Sequence, residues 1–225
     1  YLLKMYFMMD DDSYWTMFAS TYLPVRSVLQ QGDWFVDVDM MSGKTRRQRF
    51  ENLQSFWPGM EVLIGNLVPA KQFLNAFYAV WNDFGFVPEE FDFAQWQLIN
   101  GGSSAMYPLR PELIESTYYM YQATKDESWL RAGVHFLTSI DMDLETACGF
   151  ATVKNIGTTE LADNMPSFFL SETLKYLYLL FDTDNFIHSR PFIFSTEAHP
   201  FDLTHVNRLN RAIRQQQAPA SSTFP

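Results

Sequence analysis

The segment Tyr107-Pro-Leu-Arg-Pro-Glu-Leu-Ile-Glu115 decides how this chain is read, because it is a helix start with charges at its mouth. Proline is favoured at the first helical position, where its missing N–H would have had no partner. Arg110 to Thr124 then carries helical periodicity, and after a short break Ser128 to Thr146 does so again. Working back toward the N-terminus, Val68 to Phe84 reads as a helix ended by Gly85, and Pro58 with Gly59 opens a short apolar one. Tyr14 to Leu29 is helical after the turn Asp10-Asp-Asp-Ser13, and Tyr1 to Met8 reads as a helix whose beginning is missing. Downstream, Ser167 to Phe181 is apolar nearly all round, as a helix in the interior of a larger body would be. Strands are few. Trp34 to Met40 alternates apolar and acidic residues like a half-buried strand, and Phe192 to Ser195 is a short one. Paired helices in series indicate a mainly α toroid, and no fixed-period repeat favours a solenoid.

Composition narrows the function classes. The 225 residues are 47% hydrophobic, enough for one sizeable core, and carry a net charge of −10. That balance argues against nucleic acid, which needs a basic footprint, and no basic face offers itself to an anionic membrane. No apolar run approaches the roughly 20 residues of a membrane-spanning helix. The chain starts at Tyr1 without a methionine or a signal-peptide pattern, so its start reads as an internal cut. From about residue 206 to 225 the sequence is polar and poor in aromatics, and a disordered tail is expected there after a domain spanning 1–205.

Three segments could carry chemistry. Glu112 lies in the first turn behind Pro111, where backbone N–H groups and the helix dipole favour an ionised carboxylate, and Glu115 shares its face. Arg110 could orient a carboxylate by charge-assisted hydrogen bonds. An oriented, ionised Glu is what a general base needs, although an isolated Arg-Pro-Glu is more often a plain helix start. In Ser167-Phe-Phe-Leu-Ser-Glu172, Phe168 and Glu172 lie four apart, and an aromatic face beside a carboxylate suits a sugar ring. Periodicity alone would equally allow a core Phe beside a solvated Glu. Thr196-Glu-Ala-His199 follows a short apolar strand; its Thr-Glu pair would not by itself reveal a site, and His199 has no second His or Cys at zinc-ligand spacing.

Together these segments resemble the C-terminal part of the glycoside hydrolase family 47 α-mannosidases, most closely the ER degradation-enhancing mannosidase-like (EDEM) branch. The resemblance runs from about Tyr1 to Phe201. It implies an (α/α)7 barrel, of which this chain would be an incomplete C-terminal part with a few short β-hairpins. It further implies an inverting, calcium-dependent α-1,2-mannosidase in the endoplasmic reticulum lumen, trimming high-mannose N-glycans of misfolded glycoproteins. On that reading Glu112 is the catalytic base and Thr196 holds Ca2+ through its carbonyl and hydroxyl. Arg110 and Phe168 contact the sugar, and Glu115, Glu172 and Glu197 bind its hydroxyls or metal-bound water. Leu53-Gln-Ser-Phe-Trp-Pro-Gly59 resembles a loop lining the sugar cleft, with Glu51 standing where the family usually has an aspartate. Ser55 replaces the cysteine of the processing mannosidases, which favours the EDEM branch. The resemblance also implies a protein disulfide isomerase as a partner. Cys148, the one cysteine, is open to pairing outside this chain or to being a buried free thiol.

The resemblance also implies what is missing. The family's catalytic acid lies far upstream, and a further catalytic aspartate stands just before Tyr1. This chain alone is therefore not expected to turn over substrate, and a non-catalytic mannose-binding lectin or pseudoenzyme is the alternative.

Overall fold

The computed structural model describes residues 1–206, which fall into two compact units. In the unit made of Tyr1–Pro24 with the chain from Asp184 onward, helices α1 (Leu2–Met9) and α2 (Asp12–Pro24) pack on each other. The turn between them is short because Asp10 adopts the left-handed conformation and returns its N–H to the Tyr6 carbonyl. Tyr6 of α1 meets Trp15 of α2, and Phe18 and Tyr22 continue the row of rings along α2, with adjacent centroids 5.3 to 5.6 Å apart. The same unit holds an antiparallel hairpin of Phe192–Phe194 with Pro200–Asp202.

The unit Val25–Thr183 contains α3 (Trp57–Leu63), α4 (Leu67–Phe84), α5 (Glu112–Thr124) and α6 (Ser128–Leu144). A last helix, α7 (Leu174–Phe181), closes this unit, extending a π-helical turn at Phe169–Thr173. Helices α3, α4, α6 and α7 all pack against α5. Every residue of α5 from Leu113 to Tyr121 is buried, so its polar groups must find partners inside. Ser116 donates to the Ser55 carbonyl and accepts the Gly59 N–H at 3.0 Å, while the Thr117 hydroxyl bonds the Leu113 carbonyl at 2.8 Å. Gly59 permits this approach, since a Cβ there would meet Tyr119 Cδ2 at 3.1 Å and Ser116 Oγ at 3.2 Å.

A large share of the core is aromatic. Phe50, Phe73, Phe77, Trp81, Phe91, Tyr107 and Phe136 are fully buried, each removing a large apolar area from water. Three antiparallel strands, Arg49–Glu51, Glu90–Asp92 and Gln97–Leu98, lie beside them.

The helical reading from sequence holds for all seven segments, with four local corrections. The stretch from Trp34 to Met40 is two short pieces. Trp34–Phe35 pairs with Gln30–Gln31 and Asp37–Val38 with Thr45–Arg47, because turns at Gly32 and Gly43, both at positive φ, fold each piece onto a different partner. The helix expected over Tyr14–Leu29 leaves α geometry at Pro24, which has no N–H for the ladder, and continues as a π-turn over Val25–Leu29. Helix α6 stops at Leu144, since Glu145 turns extended into a hairpin with Gly149–Phe150. The helix ending at Phe181 shows Leu170 and Tyr178 to solvent, whereas the helix buried on all sides is α5. No helix among the described residues is long and apolar enough to cross a membrane. The tail expected over 206–225 lies, except for Val206, outside the described residues.

Candidate active site

The approach to α5 is a turn under strain. Tyr107 forms a two-way backbone bridge to Val153, and two residues later the fully buried Leu109 sits at φ 62. A bulky residue in the left-handed region is unfavourable by about 1–3 kcal/mol and persists only where its surroundings fix it. Here the Thr173 hydroxyl, also fully buried, donates to the Leu109 carbonyl at 2.7 Å. Pro111 then caps α5, so the helix begins at Glu112, one residue later than expected, and the Pro111 carbonyl accepts the Glu115 N–H at 2.8 Å.

Arg110 emerges from this turn and grips Glu89, Nε to Oε1 at 2.7 Å and Nη2 to Oε2 at 3.2 Å. Burial works against its charge, but the Glu89 bonds and charge, with Glu112 assisting, carry its pKa above the ordinary arginine value. The guanidinium also stands 5.7 Å from the centroid of the Phe168 ring, within cation–π range. Glu89 itself is fixed by its backbone, the N–H donating to Met106 and the carbonyl accepting from Asn52 at 3.0 Å. The sequence reading missed Glu89. The available signal was that a half-buried arginine requires a carboxylate, and Val87-Pro-Glu-Glu90 offers two.

Glu112 is less comfortably ionised than its place at a helix start led one to expect. Burial pushes its pKa up to about 7. Its own backbone N–H and the Arg110 charge pull downward, and the charges of Glu115 and Glu172 push further up. Desolvation therefore outweighs the helix terminus. Its Oε2 is enclosed and has no hydrogen-bond partner among the described residues. Beneath it the Tyr107 phenol is raised by burial and then by the Glu112 charge.

Glu115 accepts the Tyr176 hydroxyl at 3.2 Å, and that buried phenol is itself pushed up by burial and the Glu115 charge. Glu172 is buried in the π-turn, where the widened helix geometry is frequent at functional positions. The structure thus brings Arg110, Glu112, Glu115, Phe168 and Glu172 together around α5. Glu51 ends its strand in register with Glu90, is exposed, and makes no side-chain hydrogen bond or ion pair among the described residues.

Thr196 and Glu197 belong to the other unit, in the turn between Phe192–Phe194 and Pro200–Asp202. Ser195 Oγ accepts the N–H groups of Glu197 at 3.2 Å and His199 at 3.1 Å, and buried Ala198 adopts φ 55. This leaves Thr196 at the tip, exposed, with its hydroxyl 2.5 Å from that of Tyr1. Its carbonyl accepts no backbone hydrogen bond among the described residues. Those two oxygens are donors of the hard type calcium takes, with water or a sugar supplying the remainder. No group of three or more His, Cys, Asp or Glu suited to a metal ion occurs among the described residues. Cys148 lies exposed in the turn of the Glu145–Thr146 hairpin, which sets aside the buried-thiol reading.

Comparison with known proteins gives this arrangement its context. The sequence profile of glycosyl hydrolase family 47 matches residues 1–203. The chain belongs to that family. An Arabidopsis thaliana alpha-mannosidase I, MNS5, is 43% identical over 203 residues, covering 90% of this chain and 35% of that protein. Human ER degradation-enhancing alpha-mannosidase-like protein 2 is 37% identical over 236 residues, covering 96% of this chain and 40% of that protein. The solved alpha-1,2-mannosidase from Trichoderma reesei superposes with a TM-score of 0.76 at 23% identity, over 90% of this chain and 50% of that one. That likeness shows the fold, an α/α barrel of which this family 47 chain matches half. The chain spans about a third to two-fifths of the length of these two relatives.

Proposed function

We propose that this chain supplies the base-bearing and mannose-binding part of an inverting α-1,2-mannosidase that trims high-mannose N-glycans in the endoplasmic reticulum lumen. The observation that carries the reading is Glu112, a carboxylate with one enclosed oxygen unbonded among the described residues and a pKa of about 7, beside Arg110, which stands over Phe168. A general base works best when its pKa lies near the operating pH, because it is then both available and basic enough to take a proton from water. A water hydrogen-bonded to Oε2 would satisfy that oxygen and stand where its proton passes to Glu112. Phe168 gives the sugar ring a face, Arg110 donates to its oxygens, and Glu115 and Glu172 accept from its hydroxyls. Tyr176 holds Glu115 from behind. A bound calcium ion would be held by the Thr196 carbonyl and hydroxyl, with Glu197 orienting its waters, and would supply a hard positive charge for hydroxyl oxygens.

Inversion needs a second carboxylic acid on the opposite side of the scissile bond. On this reading the acid comes from outside these residues, and the chain binds without cleaving. Exposed Cys148 would be the contact for a protein disulfide isomerase, which non-reducing mass analysis of the protein from its own cells would reveal as a mixed disulfide.

The test is calorimetric titration of the 225-residue chain with α-1,2-mannobiose, with and without calcium, and a parallel assay for free mannose. Expected are calcium-dependent binding, its loss in Phe168→Ala, and no free mannose. Absence of binding in calcium would overturn the sugar-site reading. Free mannose would overturn the inference that the acid lies elsewhere.

A further inference from the structure

We propose that Thr173 is a positioning residue for Glu112: by locking the strained Leu109 turn, its hydroxyl sets where α5 presents the carboxylate. The inference rests on the reading of Glu112 as the base, and it adds a residue whose side chain does not itself face the sugar.

The Leu109 carbonyl and the Thr173 hydroxyl meet at 2.7 Å with both residues at 0% exposure, so no solvent competes for the bond. Leu109 stands at φ 62 and immediately precedes the Arg110-Pro111-Glu112 sequence. Without the lock, that leucine has every reason to relax toward negative φ, which would rotate the peptide entering Arg110 and Pro111. Thr173 is the residue after Glu172 and lies in the π-turn, five residues beyond Phe168. One hydroxyl therefore joins the segment bearing Phe168 and Glu172 to the segment bearing Arg110 and Glu112. A second tie, from the Tyr107 hydroxyl to the Arg110 carbonyl at 3.2 Å, acts on the same turn but comes from within it. Thr173 registers the two segments against each other through a backbone carbonyl.

The consequence can be read at Glu112. Arg110, Glu115, Glu172 and Tyr107 are the charged and titratable groups that act on it, with Glu89 held by Arg110. Burial is the largest influence on its ionisation, so a turn that relaxes and admits water brings Glu112 back toward an ordinary carboxylate.

The experiment is a 13C NMR titration of glutamate carboxyls in the 225-residue chain, with the Glu112 signal assigned by its absence in Glu112→Gln. It is run on the wild type, Thr173→Val, Thr173→Ala and Thr173→Ser, each checked for folding by circular dichroism. Valine keeps the volume and removes the hydroxyl, alanine removes both, and serine keeps the hydroxyl. The expected result is a Glu112 midpoint at least about one pH unit lower in the valine and alanine variants. Serine should retain the wild-type midpoint. Equal midpoints in all folded variants would overturn the proposal, as would unfolding of both hydroxyl-less variants, since the bond would then be purely structural. A Thr173-independent midpoint alongside good mannobiose binding sinks the brace alone. A Thr173-dependent midpoint without mannobiose binding sinks the functional reading alone.

Discussion

Arg110 bonds Glu89 through two guanidinium nitrogens, at 2.7 and 3.2 Å, and makes no such bond to Glu112 only two residues away. This division of labour lets one half-buried cation be neutralised by a bidentate partner while the candidate base keeps a raised pKa. Were Arg110 to pair with Glu112 directly, the carboxylate would be held ionised and would be a weaker base.

Glu89→Gln tests that division. The change keeps shape but leaves Arg110 without its anionic partner, and both side chains are less than a quarter exposed. Loss of a bidentate, partly buried pair should lower stability by about 1–2 kcal/mol, seen as a lower urea midpoint at unchanged slope. Arg110 would then act more strongly on Glu112, so the Glu112 midpoint should fall in the same variant. An unchanged Glu112 midpoint would show that Glu89 does not shield the base.

Glu112→Gln should change how stability responds to pH. The carboxyl titrates at about 7 folded, against an ordinary value of 4.5, so the folded chain binds more protons between those values. Its contribution is present below pH 4.5 and is lost as pH rises to 7, by up to roughly 3 kcal/mol from the size of the shift. The variant, neutral throughout, lacks this loss. Denaturation of both proteins from pH 4 to 8 should show the variant gaining on the wild type as pH rises through that window. Parallel curves would contradict a raised Glu112 pKa.

These electrostatic details mark the boundary of what the sequence makes legible. The helix start at Pro111, the end of α4 at Gly85 and the pairing of α5 with α6 follow from local chemistry and were readable. Thr173's bond to Leu109 spans 64 residues, and Arg110's to Glu89 spans 21, so neither leaves a local pattern. The sign of the Glu112 shift failed for a related reason. The helix terminus that lowers a carboxylate pKa is visible in Arg-Pro-Glu, while the packing that raises it more strongly comes from residues distant in the chain. Trp34 to Met40 misled because alternation identifies strand faces and says nothing about a change of partner midway. Thr196 and Glu51 were legible only through the resemblance, as no spacing singles them out.

Gly59→Ala examines how closely α3 must approach the helix that carries the site. The added methyl would stand 3.1 Å from Tyr119 Cδ2 and 3.4 Å from Ser116 Cα, a backbone atom that cannot swing away. Helix α3 would have to withdraw from α5, weakening the 3.0 Å bond from the Gly59 N–H to Ser116. Overpacking of this kind should lower stability by about 1–3 kcal/mol, although alanine is the better helix former. A thermal midpoint equal to or above that of the wild type would show the interface to be slack.

Thr196→Val isolates the hydroxyl in the proposed calcium contact. Valine keeps the shape and the carbonyl, which accepts no backbone hydrogen bond among the described residues, but removes the oxygen lying 2.5 Å from the Tyr1 hydroxyl. Calcium needs six to eight oxygens, and losing one of two protein donors at an exposed turn should weaken binding by about tenfold or more. Calorimetric titration of the 225-residue chain with calcium, in the presence of α-1,2-mannobiose, measures it directly. The same titration on Glu197→Gln separates a ligand from a residue that orients bound water, since the latter should weaken binding less. A valine variant that binds calcium as tightly as the wild type would remove the Thr196 hydroxyl from the metal site and leave its carbonyl as the contact to test.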